Sequence, residues 1–292
     1  MTAADRAGAA GPRWPDLFLA GAAHAGTSVL RAHLRRHPSI LMTEPEQPHF
    51  FSDIRPARRF ERTIPVVGDE TAYRSLFAAA RPDQIVGEAS TSYLWSPDAP
   101  ARMAAAAPHA RVVLLLRDPI ARAWAHHRHD VTQGAERRGF LRAIRDELQR
   151  PARWGHEPVY LGAGFYADGL ERFLAAFSRE RVLVRFFETV DPDPRTAARD
   201  LVDWLGLDPV AVATAADPLA SAASAPPPVS RPGGLLGALR RGRTPWGTGQ
   251  PDAGPVLDDT IRRLLEEVYA PDVARVSDLL GVIPPWSITP GN

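Results

Sequence analysis

Four short runs of consecutive apolar residues punctuate the chain: LFLAG at 17–21, QIVGEAS at 84–90, VVLLLRD at 112–118 and VLVRFFE at 182–188. Each has strand length, is rich in Val, Leu, Ile or Phe, and does not alternate apolar with polar positions. Such runs fit strands covered on both faces, as in a parallel sheet. Between them the apolar spacing becomes helical. TSVLRAHLRRHP follows the first run, IARAWAHHRHDV the third, and YADGLERFLAAFS precedes the fourth, with Pro or Gly at the edges. Strand alternating with helix predicts an α/β fold, a central parallel sheet flanked by crossover helices. TAARDLVDWLGLDP (196–209) and LDDTIRRLLEEVYAPDVARVSDLLG, the last long segment, read as two further helices.

The pattern lapses twice. Residues 1–13 are small and polar and are expected to be disordered. The stretch from Ala213 to Gly254 is rich in Ala, Pro, Ser and Gly; it is expected to be irregular and carries the basic patch LRRGR at 239–243. No internal repeat is visible, and residues 14–292 are expected to form a single domain.

Composition narrows the chemistry. With 292 residues, 45% hydrophobic and 24% charged, the chain can bury a sizeable core. A formal charge of +1 gives no reason to expect a nucleic-acid partner. The absence of cysteine removes disulfides, thiolate metal sites and thiol nucleophiles together. The N-terminus lacks the apolar core of a signal peptide and no run reaches the ~18 apolar residues of a membrane helix. A cytoplasmic protein without a membrane partner is the expectation. All 35 Lys/Arg positions are arginine, as GC-rich bacterial coding would favour. Arginine would then be the ready substitute for any lost lysine, whereas histidine is a different chemical choice.

That choice appears in GAAHAGTS, Gly21 to Ser28. A strand ending in glycine, a tight turn and a helix start would aim the amides of residues 22–28, Ala25 included, at one point. The positive helix end faces the same way, so a phosphate would be stabilised there. Gly26 permits close backbone approach, and Thr27 and Ser28 offer hydroxyl donors. The segment approaches the phosphate-loop pattern G-x-x-x-x-G-K-[ST], but the hydroxyl follows the second glycine with no lysine between. A structural turn without ligand is the alternative.

LFLAGAAHAGTSVLRAHLRRHPSI resembles the 5'-phosphosulfate loop of sulfotransferases that use 3'-phosphoadenosine 5'-phosphosulfate (PAPS), and VVLLLRDPIARAWAHH resembles their 3'-phosphate motif. PHFFSD, GEASTSYLWSP, YLGAGFYADGLERFL, VLVRFFETV, DWLGL and IPPW are similar, in order, to segments of the bacterial carbohydrate and small-molecule branch. The resemblance covers nearly the whole chain. It implies the sulfotransferase fold, PAPS as sulfuryl donor with no metal, and a small-molecule or carbohydrate acceptor. Gly21, Ala25, Gly26, Thr27, Ser28 and Arg117 would bind the donor. Arg240, Arg241 and Gly242 match a segment that closes over the nucleotide, although a disordered basic loop is an equal reading.

Three positions depart from the family pattern. His24 stands where the family has the lysine that stabilises the leaving nucleotide; two nearby phosphates would favour its protonated form, with activity falling as pH rises. Gln47 stands where many members have a glutamate base, and an amide cannot take a proton. The base would then be His49, Glu46, Glu88 or His126. His49 reads equally as packed beside Phe50 and Phe51, and Glu88 as a cap of the next turn. Ala125 replaces a serine of the 3'-phosphate site. Arg122, one turn earlier on that helix, reads as a solvated surface charge. Trp14, Phe51, Tyr93, Trp95, Tyr160 and Tyr166 read mainly as core. A sulfotransferase is the leading expectation. A sulfotransferase-fold enzyme of altered chemistry not using PAPS, or a silent ligand-binding protein, is the alternative, and a nucleotide kinase ranks last for want of any lysine.

Overall fold

The computed structural model describes residues 13–53, 66–149, 159–209, 257–286 and 288. Among them five strands form one sheet: β1 (Leu17–Leu19), β2 (Ile40–Met42), β3 (Ile85–Glu88), β4 (Arg111–Leu116) and β5 (Val182–Phe186). The order is β2-β3-β1-β4-β5, and every pairing is parallel. The four apolar runs are β1, β3, β4 and β5. The edge strand β2 is an addition: three residues between Pro38 and Pro45 carry too little pattern to be seen in advance.

Burial on both faces explains the lack of alternation. Phe18, Val112, Leu114 and Leu116 join a cluster with Tyr73, Tyr93, Tyr166, Leu170 and Phe173. Leu17, Leu19 and Val113 point the other way, against Leu30, Leu34, Leu201 and Val202. The second face is therefore covered by α1 (Thr27–Leu34) and by α8 (Pro194–Trp204), the first largely by α3 (Ala99–Ala106), α6 (Ala167–Ala176) and α9 (Asp259–Leu280). The short helices α2 (Glu70–Ser75) and α7 (Phe187–Val190) complete the outer layer. Beside the sheet, α4 (Pro119–Thr132), α5 (Phe140–Gln149) and α9 share Ile120, Phe140, Ile144, Leu265 and Tyr269.

Asp-Pro pairs set two helix starts. Asp118 accepts from the amides of Ile120 and Ala121 at 2.9 and 3.1 Å while Pro119 opens α4, and Asp193 accepts from the Thr196 amide at 3.1 Å while Pro194 opens α8. The C-terminal helix is tied to the middle of the chain by Asp272. Its buried carboxylate accepts from the amides of Tyr166 and Ala167 at 2.8 and 3.1 Å, and the Tyr166 hydroxyl donates to the Arg117 carbonyl at 2.9 Å. Asp272→Ala strands both amides and is expected to cost about 2 kcal/mol of stability, measured by urea denaturation, with Asp272→Asn recovering part of it.

Candidate functional site

Because β1 and β4 are sheet neighbours, the turns that leave them meet at the C-terminal edge, where open parallel sheets hold ligands. After β1, Gly21 has φ +143, and a Cβ there would lie 2.7 Å from Leu94 Cβ, so the turn requires glycine. The loop is pinned to β4: Ala22 N donates to Leu115 O at 2.7 Å and Leu115 N to Gly21 O at 2.8 Å. Gly26, φ +88, closes the turn, and α1 starts at Thr27 with no side-chain cap. The opening amides of α1 lie outside its own hydrogen-bond ladder, as at any helix start. This loop and helix end can hold an anion.

Arg117, at the end of β4, reaches that loop. Its Nη1 donates to the His24 carbonyl at 3.0 Å, and its guanidinium lies 4.3 Å over the Phe187 ring. The following residue is held as well: Asp118 N donates to Glu188 Oε1 at 2.8 Å, and Glu188 Oε2 accepts from Trp286 Nε1 at 3.2 Å. Two motifs more than ninety residues apart thus form one site, with the IPPW segment supporting it.

His24 adopts φ +61, and its ring stacks on His126 at 4.2 Å between centroids and 23° between planes; His129 is 5.4 Å away. The residue is partly covered, with Nε2 sealed from solvent. Burial, then the charges of Arg122, His129 and Arg117, pull its pKa well below that of free imidazole. With its pKa so lowered His24 is neutral near pH 7, and an anion bound beside it would favour its protonation. His126 shares this environment: burial first, then His24, Arg122 and His129, lower its pKa, while Asp130 Oδ2 stands 3.6 Å from its Nε2. Ala125, beside it on α4, is partly exposed and supplies no polar group.

Arg122 corrects an expectation. It is not a surface charge but the largest fully buried side chain, at 0% exposure, with Nη2 donating to the Tyr160 carbonyl. The α4 register turns it inward with Ile120 and Ala123 toward α9 rather than outward with Ala121. Its charge acts on both His24 and His126.

The acceptor-side candidates lie around β3. Gln47 is buried, and its Oε1 accepts from Thr91 N at 3.2 Å and Thr91 Oγ1 at 2.8 Å. Glu46 Oε1 accepts from Ser28 Oγ at 2.5 Å, with Arg31 Nη1 at 3.7 Å from its other oxygen. The Ser28 hydroxyl thus serves a carboxylate rather than the loop. His49 sits at φ +54 with its amide donating to Ser90 Oγ and its Nδ1 2.8 Å from Ser92 Oγ. Burial drops its pKa to about 3, so the near-neutral titration expected of a lone histidine is lost.

Glu88 ends β3 inside the protein, where it accepts from Tyr73 OH at 2.8 Å, Tyr93 OH at 2.5 Å and Ser90 Oγ at 2.6 Å. Burial raises its pKa to about 7, against the lowering effect of these hydroxyls. The raised value makes folding favour the protonated form, so Glu88 withdraws about 3 kcal/mol of stability as pH rises from 4.5 to about 7. His49 acts in the opposite sense, losing stability as pH falls from 6.5 to about 3. Glu88→Gln is therefore expected to lose stability on acidification below pH 6.5 more steeply than the natural protein, since the Glu88 offset is gone. Urea denaturation across that range measures it.

Phe51, Tyr93, Tyr160 and Tyr166 are core, at 2% exposure or less, while Trp14 and Trp95 are partly buried against it. Arg240, Arg241 and Gly242, and the irregular segment that carries them, lie outside the described residues. Among the described residues no group of three His, Cys, Asp or Glu is placed to hold a metal ion, and no helix is long and apolar enough to cross a membrane. Sequence reasoning missed His129 and Asp130, which complete the histidine cluster with Tyr160, a residue it read only as core. The signal was present, since His126, His129 and Asp130 share one face of α4 at i, i+3 and i+4.

Fold and site together define an α/β protein with a phosphate-type loop and an arginine from the adjacent strand. No family profile matches the chain. It is similar to mouse heparan sulfate glucosamine 3-O-sulfotransferase 3B1, 29% identical over 203 residues, which are 68% of this chain and 48% of that protein. The chain thus spans about half the length of that curated relative. Among solved structures, a sulfotransferase from Alicyclobacillus acidocaldarius is 29% identical with a TM-score of 0.71, covering 92% of this chain and 96% of that one. Mouse sulfotransferase SULT7A1, complexed with PAP, shares the fold at 14% identity and a TM-score of 0.55, covering 89% of this chain and 84% of that one. In sequence and in fold alike, the chain is similar to sulfotransferases.

Proposed function

We propose that the protein transfers a sulfuryl group from PAPS to a hydroxyl or amine of a sugar or small molecule. The observation that carries this is the convergence of Arg117 on the loop from Gly21 to Ser28, which pairs a guanidinium with an anion-holding helix start. The sugar-acting mouse relative and the Alicyclobacillus sulfotransferase support the reaction class. Loop amides and the hydroxyls of Thr27 and Ser28 would hold the 5'-phosphate, Arg117 the 3'-phosphate, and His24 the oxygen that leaves. The acceptor oxygen or nitrogen bonds to sulfur as the bond from sulfur to the bridging phosphosulfate oxygen breaks. PAP departs with that electron pair, and the acceptor proton passes to a base.

Of the four candidate bases, Glu88 is occupied by three hydroxyls and His126 by its stack on His24. His49, its pKa lowered to about 3, is a poor base, which leaves Glu46, whose Oε1 holds only the Ser28 hydroxyl. The two donors that Thr91 gives Gln47 suit a carboxylate equally well. Gln47→Glu is accordingly expected to raise turnover at least about tenfold without loss of stability, measured as sulfate transfer per enzyme.

A second reading has Gln47 and the neutral His24 in its favour: a sulfotransferase-fold protein that binds a phosphorylated ligand and transfers no sulfate. Calorimetry with PAP, the product nucleotide, tests the main proposal. Micromolar binding is expected, and no detectable binding would sink it.

A further inference from the structure

Three histidines crowd the loop that the proposed function assigns to the donor, and two of them, His126 and His129, have no part in that chemistry. His126 lies beneath His24 with the rings stacked at 4.2 Å. Its Nε2 is 3.6 Å from Asp130 Oδ2, an ion pair as soon as the ring takes a proton. Asp130 is fixed from behind by the Tyr160 hydroxyl, which donates to the same oxygen at 2.9 Å, and the Tyr160 ring meets the His126 ring edge-on at 4.8 Å. The result is a line from the loop into the protein: His24, His126, Asp130, Tyr160.

We infer that His126 is a positioning residue of the donor loop: backed by Asp130, it and His24 form one imidazole pair that takes up a proton when a phosphate-bearing ligand enters. The inference rests on reading the loop as a donor site. Elsewhere a single lysine would bring its own charge to such a loop; this chain has none. The groups facing the pair divide by sign. Arg122 and His129 from α4 and Arg117 from the end of β4 act on His24, and Arg122 and His129 on His126 as well. All of these oppose protonation. On the favourable side stand Asp130 and the Val159 carbonyl. Glu136 adds negative charge farther back, toward Asp130 and Tyr160. That balance leaves both rings neutral, and a polyanion beside His24 reverses it. The proton comes from solvent on binding and returns when the ligand leaves. A bare buried pair would have no place to stabilise that charge, and Asp130, one helical turn from His126, supplies it.

The full chain, titrated calorimetrically with PAP in two buffers of different ionisation heat, tests this. Uptake of about one proton is expected, and affinity should fall about tenfold per pH unit between about pH 6 and about pH 8. Asp130→Asn should move that midpoint to lower pH while changing the low-pH affinity little. His126→Gln should remove most of the uptake. If one variant fails to fold, the other suffices. Binding whose heat is independent of buffer, or uptake unchanged in the variants, would overturn the inference. Inorganic pyrophosphate titrated in parallel separates the two ideas. Proton-linked pyrophosphate binding without PAP binding leaves the inference standing and removes the sulfotransferase proposal, whereas no binding of either ligand removes both.

Discussion

Arg117→Ala is expected to weaken PAP binding by roughly 10- to 150-fold, the worth of one hydrogen bond to a charged group at about 1.5–3 kcal/mol. Among the described residues Arg117 is the strong cation that β4 carries to the loop, and three contacts help to place it. Its Nη1 holds the His24 carbonyl, its guanidinium rests on Phe187, and its carbonyl takes the Tyr166 hydroxyl. The last contact is made by the main chain and survives the substitution, so the loss should appear in affinity far more than in unfolding midpoint. Arg117→Lys should recover only part, since a point charge cannot reproduce a planar fork. Calorimetry on the three proteins decides it, and equal affinity in all three would remove Arg117 from the site.

The second large effect concerns His24. His24→Ala is expected to lower kcat by about 10²–10³ while changing KM for PAPS little, the pattern of a lost donor to the leaving oxygen. His24→Lys should keep activity and flatten its dependence on pH. The sign follows from the lowered pKa of the natural residue. His24 needs a proton that its surroundings resist, so natural activity falls as pH rises, whereas lysine stays charged throughout. Steady-state sulfate transfer against pH measures both variants. A natural profile as flat as that of the lysine variant would show that protonation of His24 plays no part.

Much of this was legible in the sequence, and the reasons can be given residue by residue. β1, β3, β4 and β5 were visible because parallel strands buried on both faces are apolar throughout, and long helices such as α4 and α9 because their period persists. β2 was not, since the three residues Ile40–Met42 hold too little alternation, and the short helix α2 was hidden by the same brevity; α3, as long as α1, is mostly alanine and carries no clear apolar period. The loop from Gly21 to Ser28 was readable because its glycines answer to backbone geometry: φ +143 at Gly21 and +88 at Gly26. Charge was harder. Arg122 looks like any helical arginine until the register of α4 turns it inward, and the buried state of His49 and Glu88 depends on β2, β3 and the segment after them closing together. A sequence names titratable groups, but their pKa values belong to the packing.

The most direct measurement supplies the protein with PAPS labelled in its sulfuryl group, together with a panel of amino-sugar oligosaccharides and small hydroxyl compounds, and follows both products. Labelled sulfate on an acceptor, matched by an equal amount of released PAP and reduced in Arg117→Ala at limiting PAPS, is the result predicted. PAP binding without transfer to any acceptor would contradict the sulfotransferase activity and leave a nucleotide-binding protein of the same fold.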